Sequence, residues 1–187
     1  MHLYHPEDYT GFNAREINND AKWKFIELYE KYCTAFDVPF NARSLGLGAK
    51  FMVEYRTGNQ LDVDDVIALY NASTLGARRP VESREKFTLM LRHANLVITA
   101  WDENQIVGIA RSFSDFSFVT YLSDLVVRDS HQRHGIGKEL MRRTQLAGGM
   151  DVRIVLLSAP QAVDYYPHVG FTQHMSAWTL GPGEKLK

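Results

Sequence analysis

The chain has 187 residues, 45% of them hydrophobic and 23% charged, with six prolines. That length suffices for one domain with a sizeable core and is short for two full ones. Twenty-one Lys and Arg against 22 Asp and Glu leave a formal net charge of -1, so the overall balance carries no electrostatic footprint for nucleic acid or an anionic membrane. The single cysteine, Cys33, cannot form an intrachain disulfide, in keeping with a reducing compartment. No apolar run reaches membrane-spanning length, and the start "MHLYHPEDYTG" has neither the basic nor the apolar region of a signal peptide. The expectation is a globular cytoplasmic protein with no nucleic-acid and no membrane partner.

In chain order, residues 1–50 read as a helical extension. Phe25, Leu28, Tyr29, Tyr32, Cys33 and Phe36 recur at spacings of three and four, with Lys22, Glu27, Glu30 and Lys31 on the other side. Such a helix packs on a main domain, covers a site's edge or joins an oligomer. Pro39 and "NARSLGLGAK" follow as a connection. The main domain is expected over residues 51–187. "FMVEYRT" reads as a strand, and "LDVDDVIALYNAS" as a helix with Val63, Val66, Ile67 and Tyr70 on one face and Asp62 and Asp65 near its start. Residues 82–93 repeat the helical spacing through Phe87, Met90 and Leu91. "NLVITAWDENQIVGIARSFSD" is two β-rich runs joined at Asp102–Asn104, and "SFVTYLSDLVV" is a further strand.

Residues 136–148 are helical in pattern, "VRIVLLSAP" reads as a buried strand, "QAVDYYPHVG" as a short helix and "FTQHMSAWTL" as a final strand, with Trp178 in packing. The order βααβββαβαβ predicts an α/β (α+β) fold, a mixed central sheet flanked by helices.

The segment "VVRDSHQRHGIG", residues 126–137, breaks an apolar run into polar residues and ends in two glycines. If a helix begins near Gly135, its first-turn N–H groups are unpaired, Gly135 and Gly137 admit a bulky anion to the backbone, and Arg133 and Lys138 add positive charge. A plain strand-to-helix loop is the other reading of two glycines. The segment is neither the triphosphate-binding loop with its Lys-Ser/Thr ending nor the three-glycine dinucleotide fingerprint.

"QRHGIG", residues 132–137, resembles the Gln/Arg-x-x-Gly-x-Gly/Ala motif of the GCN5-related N-acetyltransferase (GNAT) superfamily, and "YYPHVGF", residues 165–171, resembles the aromatic-Tyr-x-x-x-Gly-Phe segment near the end of that domain. The elements fall in the family's order over roughly residues 51–180, an acyl-CoA N-acyltransferase-like arrangement. The resemblance implies acetyl-CoA as donor and a primary amine as acceptor. It implies that the backbone amides of Arg133, His134, Gly135, Ile136, Gly137 and Lys138 hold the pyrophosphate, and that Leu125 and Val127, with Val126 between them, pair with the pantetheine arm. It also matches Tyr166 to a tyrosine that family members place near the coenzyme sulfur as general acid.

Direct attack of an amine on a thioester needs no covalent serine or cysteine, so Cys33 is read as packing. Some family members carry a glutamate eleven residues before the motif glutamine, where this chain has Tyr121. Asp124 is therefore the candidate to orient or deprotonate the acceptor ammonium, against a structural hydrogen-bonding role, with Arg111, Ser123 and Asp115 as further acceptor-pocket candidates. His131, His134, His168 and His174 lack the companions of a metal signature, so no metal is expected. The expected function is direct acetyl transfer to the amine of a small molecule, in a protein that family habit makes a homodimer. Peptide or protein amine acetylation, a non-catalytic acyl-CoA-binding regulatory domain and a structural oligomerisation module are the alternatives.

Overall fold

The structure, a computed structural model, describes residues 53–186. The helix expected over residues 15–36, its connection, Cys33 and the first two residues of "FMVEYRT" lie outside the described residues. The described chain forms five strands, β1 Val53–Thr57, β2 Leu96–Asp102, β3 Gln105–Ser114, β4 Val119–Val127 and β5 Arg153–Val155, in one sheet of order β1-β2-β3-β4-β5. β2, β3 and β4 pair antiparallel and β4 pairs parallel with β5. Helices α1 Val63–Asn71 and α2 Arg84–His93 precede β2, α3 Ile136–Gly148 links β4 to β5, and the one-turn α4 Tyr165–His168 follows β5.

Each helix begins where local chemistry starts it. The Asp62 carboxylate caps α1 by accepting from the Asp64 and Asp65 N–H groups, and the Ser83 hydroxyl caps α2 by accepting from Lys86. Their apolar stripes meet over one sheet face, where Val66, Leu69, Tyr70, Phe87 and Leu91 bury against Val97, Ile109 and Val126. The Tyr70 and Phe87 rings meet edge to face at 4.9 Å. Adjacent strand residues point oppositely, so Gly108, next to Ile109, belongs to the other face. A side chain there would begin 3.0 Å from Leu140 Cδ1 and 3.3 Å from Ile136 Cγ2. Glycine at 108 thus sets how closely α3 lies on the sheet. The result is the expected mixed sheet with a helical layer on each face.

Two features of β4 shape everything near the motif turn. Arg111 pairs with Asp124 but Ser112 pairs with Leu122, so Ser123 is an extra residue on β4, a bulge that flips the parity of the strand. β4 also pairs with β5 only through Val119, Thr120 and Tyr121. β5 ends at Val155 opposite Tyr121, and β4 runs on to Val127 with that edge unpaired.

The C-terminal part departs from expectation. "VRIVLLSAP" contributes only Arg153–Val155, whose side chains run exposed, intermediate, exposed, because as an edge strand it has a neighbour on one side only. "QAVDYYPHVG" is split between the end of a 3₁₀ turn, Pro160–Ala162, that begins in the preceding segment, and α4. "FTQHMSAWTL" forms no strand among the described residues, and Trp178 is 93% exposed instead of packed. Alternation alone does not make a strand where no partner supplies the ladder bonds.

Asp115 closes the β3–β4 turn by accepting from the backbone N–H of Phe118 at 2.8 Å and those of Ser117 and Val119 at 3.0 Å. These donors, Phe118 first, hold its carboxyl below the ordinary carboxylate range. A depressed folded-state value means stability present above the unfolded-chain value and lost as pH falls through the folded one. Asp115→Asn should flatten the acid-side decline of the urea midpoint, measured as a series of melts from neutral pH downward.

Candidate active site

The outer edge of β4 beyond Tyr121 is the origin of the site. The Arg128 N–H donates to the Val107 carbonyl at 2.8 Å, and antiparallel ladders alternate. The backbone groups of Val126 and Asp124 therefore turn toward β3, and those of Leu125 and Val127 toward the open edge. Side-chain burial follows the same alternation, with Asp124 and Val126 buried and Leu125 and Val127 half-buried.

This edge runs directly into the motif turn. Gln132 binds the turn to the strand, its Nε2 donating to the Val127 carbonyl at 3.1 Å and to Asp129 Oδ1 at 2.7 Å. Arg133 at φ 62° and Gly135 at φ 81° are both left-handed, which reverses the chain within four residues and aims successive N–H groups outward. His134 Nδ1 bonds the Gln132 carbonyl at 2.7 Å and keeps the turn closed. Gly135 is the α3 N-cap and supplies no side-chain cap. The first intrahelical bond to reach it is from the Glu139 N–H at 3.0 Å, so the N–H groups of Ile136, Gly137 and Lys138 precede the first helical acceptor. Ile136 is buried while Arg133, His134 and Lys138 are exposed. One side chain anchors the helix start and three basic ones surround it.

Of the two tyrosines of α4, Tyr165 faces this turn and Tyr166 packs against Tyr165. A side chain at 137 would begin 3.3 Å from the Tyr165 hydroxyl and 3.7 Å from Val127 Cγ2. Glycine at 137 leaves room for the Tyr165 hydroxyl at the helix start. Tyr166 is half-buried between Tyr165 and Phe171, with ring centroids at 5.5 and 5.6 Å. Burial raises both phenols above the ordinary tyrosine value, and for Tyr166 the neighbouring Tyr165 adds to it. Both are neutral O–H donors at physiological pH. Sequence reasoning singled out Tyr166 and missed Tyr165, for which adjacency to the motif tyrosine was the one signal.

Asp124 sits on the opposite face of the sheet in a network. Arg79 Nε and Arg111 Nε each donate to it at 2.6 Å, to Oδ1 and Oδ2, and the Tyr70 hydroxyl donates to Oδ2 at 3.0 Å. Its side chain has no exposed surface. Arg111 continues to the Ser123 hydroxyl at 2.8 Å and the Met90 carbonyl at 3.3 Å, and Arg79 to the Ser123 carbonyl at 3.1 Å. Burial and the adjacent carboxylate push the Tyr70 phenol well up. Arg111, Ser123 and Asp124 were expected at the acceptor side and lie together; Asp115 is engaged in its own turn, and Tyr121 lies across from Phe113. Arg79 gave no sequence signal and Tyr70 only that of a core-facing helix position, because the 3₁₀ turn Gly76–Arg78, which Arg79 follows, and α1 bring them to β4 from more than forty residues away. Among the described residues no group of three or more His, Cys, Asp or Glu could hold a metal ion, and no helix is long and apolar enough to cross a membrane.

A mixed sheet with helices on both faces, a β4 that outruns its β5 partner and an uncapped helix start after it define the acyl-CoA N-acyltransferase type of fold. The family model described as acetyltransferase (GNAT) domain matches residues 72–179, and the chain belongs to the GNAT family. It is similar to "Uncharacterized N-acetyltransferase ycf52" of Porphyra purpurea, 29% identical over 100 residues that are 50% of this chain and 56% of that one. The chain spans about half the length of the curated relatives it matches. Among solved structures, the GNAT family acetyltransferase SP0256 of Streptococcus pneumoniae TIGR4 matches with a TM-score of 0.54 and 26% identity, over 65% of this chain and 88% of that one. Aminoglycoside N-acetyltransferase AAC(6')-Iy in complex with CoA matches with a TM-score of 0.57, over 72% of this chain and 97% of that one; at 15% identity the likeness is one of fold.

Asp124→Ala would leave two guanidiniums around a missing carboxylate. We expect a loss of about 3 kcal/mol in denaturant unfolding, the scale of breaking a buried ion pair from one side.

Proposed function

We propose that the chain is an acetyl-CoA-dependent N-acetyltransferase, with the activity in residues 51–187 and residues 1–50 as an extension, moving an acetyl group directly to the primary amine of a small molecule. The observation that carries the reading is the continuity of the open β4 edge with the uncapped start of α3. A ligand with amides along an arm and a diphosphate at its end needs strand-like backbone partners followed by a cluster of N–H donors, and Leu125, Val127 and residues 133–138 offer that series in one line. The CoA-bound neighbour of the same fold is in keeping with it.

In this reading the N–H groups of Arg133 to Lys138 take the diphosphate, and the helix terminus favours its negative charge. Leu125 and Val127 orient the arm by backbone pairing, so their side chains contribute little specificity. Bound there, acetyl-CoA supplies the acetyl thioester. Tyr166, kept neutral by burial, holds the proton that a departing thiolate takes up. Asp124 has both oxygens committed to arginines, so its role here is to position Arg79 and Arg111 on the acceptor side and not to remove the acceptor's proton.

Gly135→Asp strains a left-handed position and sets a carboxylate beside the diphosphate. Calorimetry should show acetyl-CoA affinity reduced at least about tenfold, and unchanged affinity in a folded variant would remove the cradle. Tyr166→Phe should lower kcat on the order of a hundredfold while coenzyme affinity stays near wild type. Equal turnover across the pH range would remove the acid role.

A further inference from the structure

The network around Asp124 is unbalanced: two guanidiniums share one carboxylate, leaving one positive charge in excess on the α1/α2 face of β4. Arg111 is almost wholly buried, its side chain 5% exposed, while Arg79 is 25% exposed. Arg79 is therefore the member through which the excess reaches solvent. Its Nε holds Asp124, its Nη2 holds the Ser123 carbonyl and pairs with Asp124 Oδ1, and its Nη1 donates to the Arg78 carbonyl at 2.9 Å. Nη1 carries two hydrogens, so one N–H remains on the exposed end.

Geometry places this charge at the end of the open edge. Arg79 grips the backbone at the Ser123 bulge, two residues before Leu125. An arm running from the motif turn back along Val127 and Leu125 ends at that level. Arg79 reaches that level from the α1/α2 face, so a second reactant approaching from that side meets its exposed end. Gly76 holds the arrangement, since a side chain there would begin 2.6 Å from the Tyr70 carbonyl. The turn carrying Arg79 is thereby pressed onto the helix that carries Tyr70.

We infer that Arg79, backed by Arg111 and Asp124, is an acceptor subsite that selects small amines bearing a carboxylate and rejects polycationic amines. This rests on the acetyltransferase reading above and narrows its substrate class. A carboxylate meets the free N–H of Arg79 and the uncompensated charge, a charge-assisted contact at a partly desolvated site. The same charge disfavours an ammonium nearby and so favours the neutral amine that attacks. An aminoglycoside or polyamine brings several positive charges to a site already positive.

The test compares acetyl transfer to free α-amino acids with transfer to their carboxamides, with spermidine and an aminoglycoside alongside. Wild type should prefer each acid over its amide by about tenfold in kcat/KM, mostly through KM, the scale of one such contact. Arg79→Gln should bring acid and amide within about threefold while calorimetric acetyl-CoA binding persists, and Arg79→Lys should recover part of the preference. Amides or polycations used as well as acids, a preference that survives in Arg79→Gln, or no transfer to any acid by protein that binds acetyl-CoA would each overturn the subsite. Failure of wild type to bind acetyl-CoA would overturn the acetyltransferase reading itself.

Discussion

The buried carboxylate of Asp124 ties α1 and the turn after it to the β3–β4 ladder through polar bonds added to their apolar contacts. Tyr70 comes from α1, Arg79 from the 3₁₀ turn after it, Arg111 from β3, and Asp124 itself from β4. Taking these charges out of water costs several kcal/mol per ion, so the network persists only because each carboxylate oxygen has an arginine partner and the guanidiniums continue to Ser123 and to carbonyls. A hydrophobic set would cost less to bury and would specify less. With directional bonds, α1 and its turn have one seat on the sheet, and the bulge at Ser123 is clamped from both sides by Arg79 and Arg111.

That clamp matters because the bulge decides which way β4 faces. On the motif side of Ser123, Asp124 and Val126 point to α1 and α2, while Leu125 and Val127 turn their backbone groups to the open edge. Without the extra residue the parity would reverse and the edge would present a different register. The proposed coenzyme track on the open edge of β4 and the proposed acceptor subsite on its α1/α2 face thus meet at one bulged residue. The motif turn adds a second constraint through backbone geometry, with Gln132 pinning the strand end, two left-handed residues turning the chain, and Gly137 leaving room for Tyr165.

Much of this was legible in the sequence where local chemistry suffices. The amphipathic spacing of α1, α2 and α3, the capping Asp62, the β2–β3 hairpin and the glycines at 135 and 137 are all short-range signals, and the structure carries each of them. The motif turn was readable for the same reason, because a helix start and its glycines lie within six residues. Asp124 was legible as a candidate but not in its role. Its chemistry depends on Arg79 and Tyr70, whose separation from it in sequence exceeds any periodicity.

The C-terminal residues show the opposite case. "FTQHMSAWTL" has the alternation of a strand, yet strand formation needs a partner's ladder bonds, and the described residues supply none. By itself, the sequence determined the elements from β1 to α3, their order, the family and the turn that opens α3, since propensity, capping and glycine conformation act over a few residues. Tertiary structure alone decided the Ser123 bulge, the unpaired edge of β4 beyond Tyr121 and the convergence of two arginines on one carboxylate. Those follow from strand register and long-range charge pairing, which no local pattern encodes.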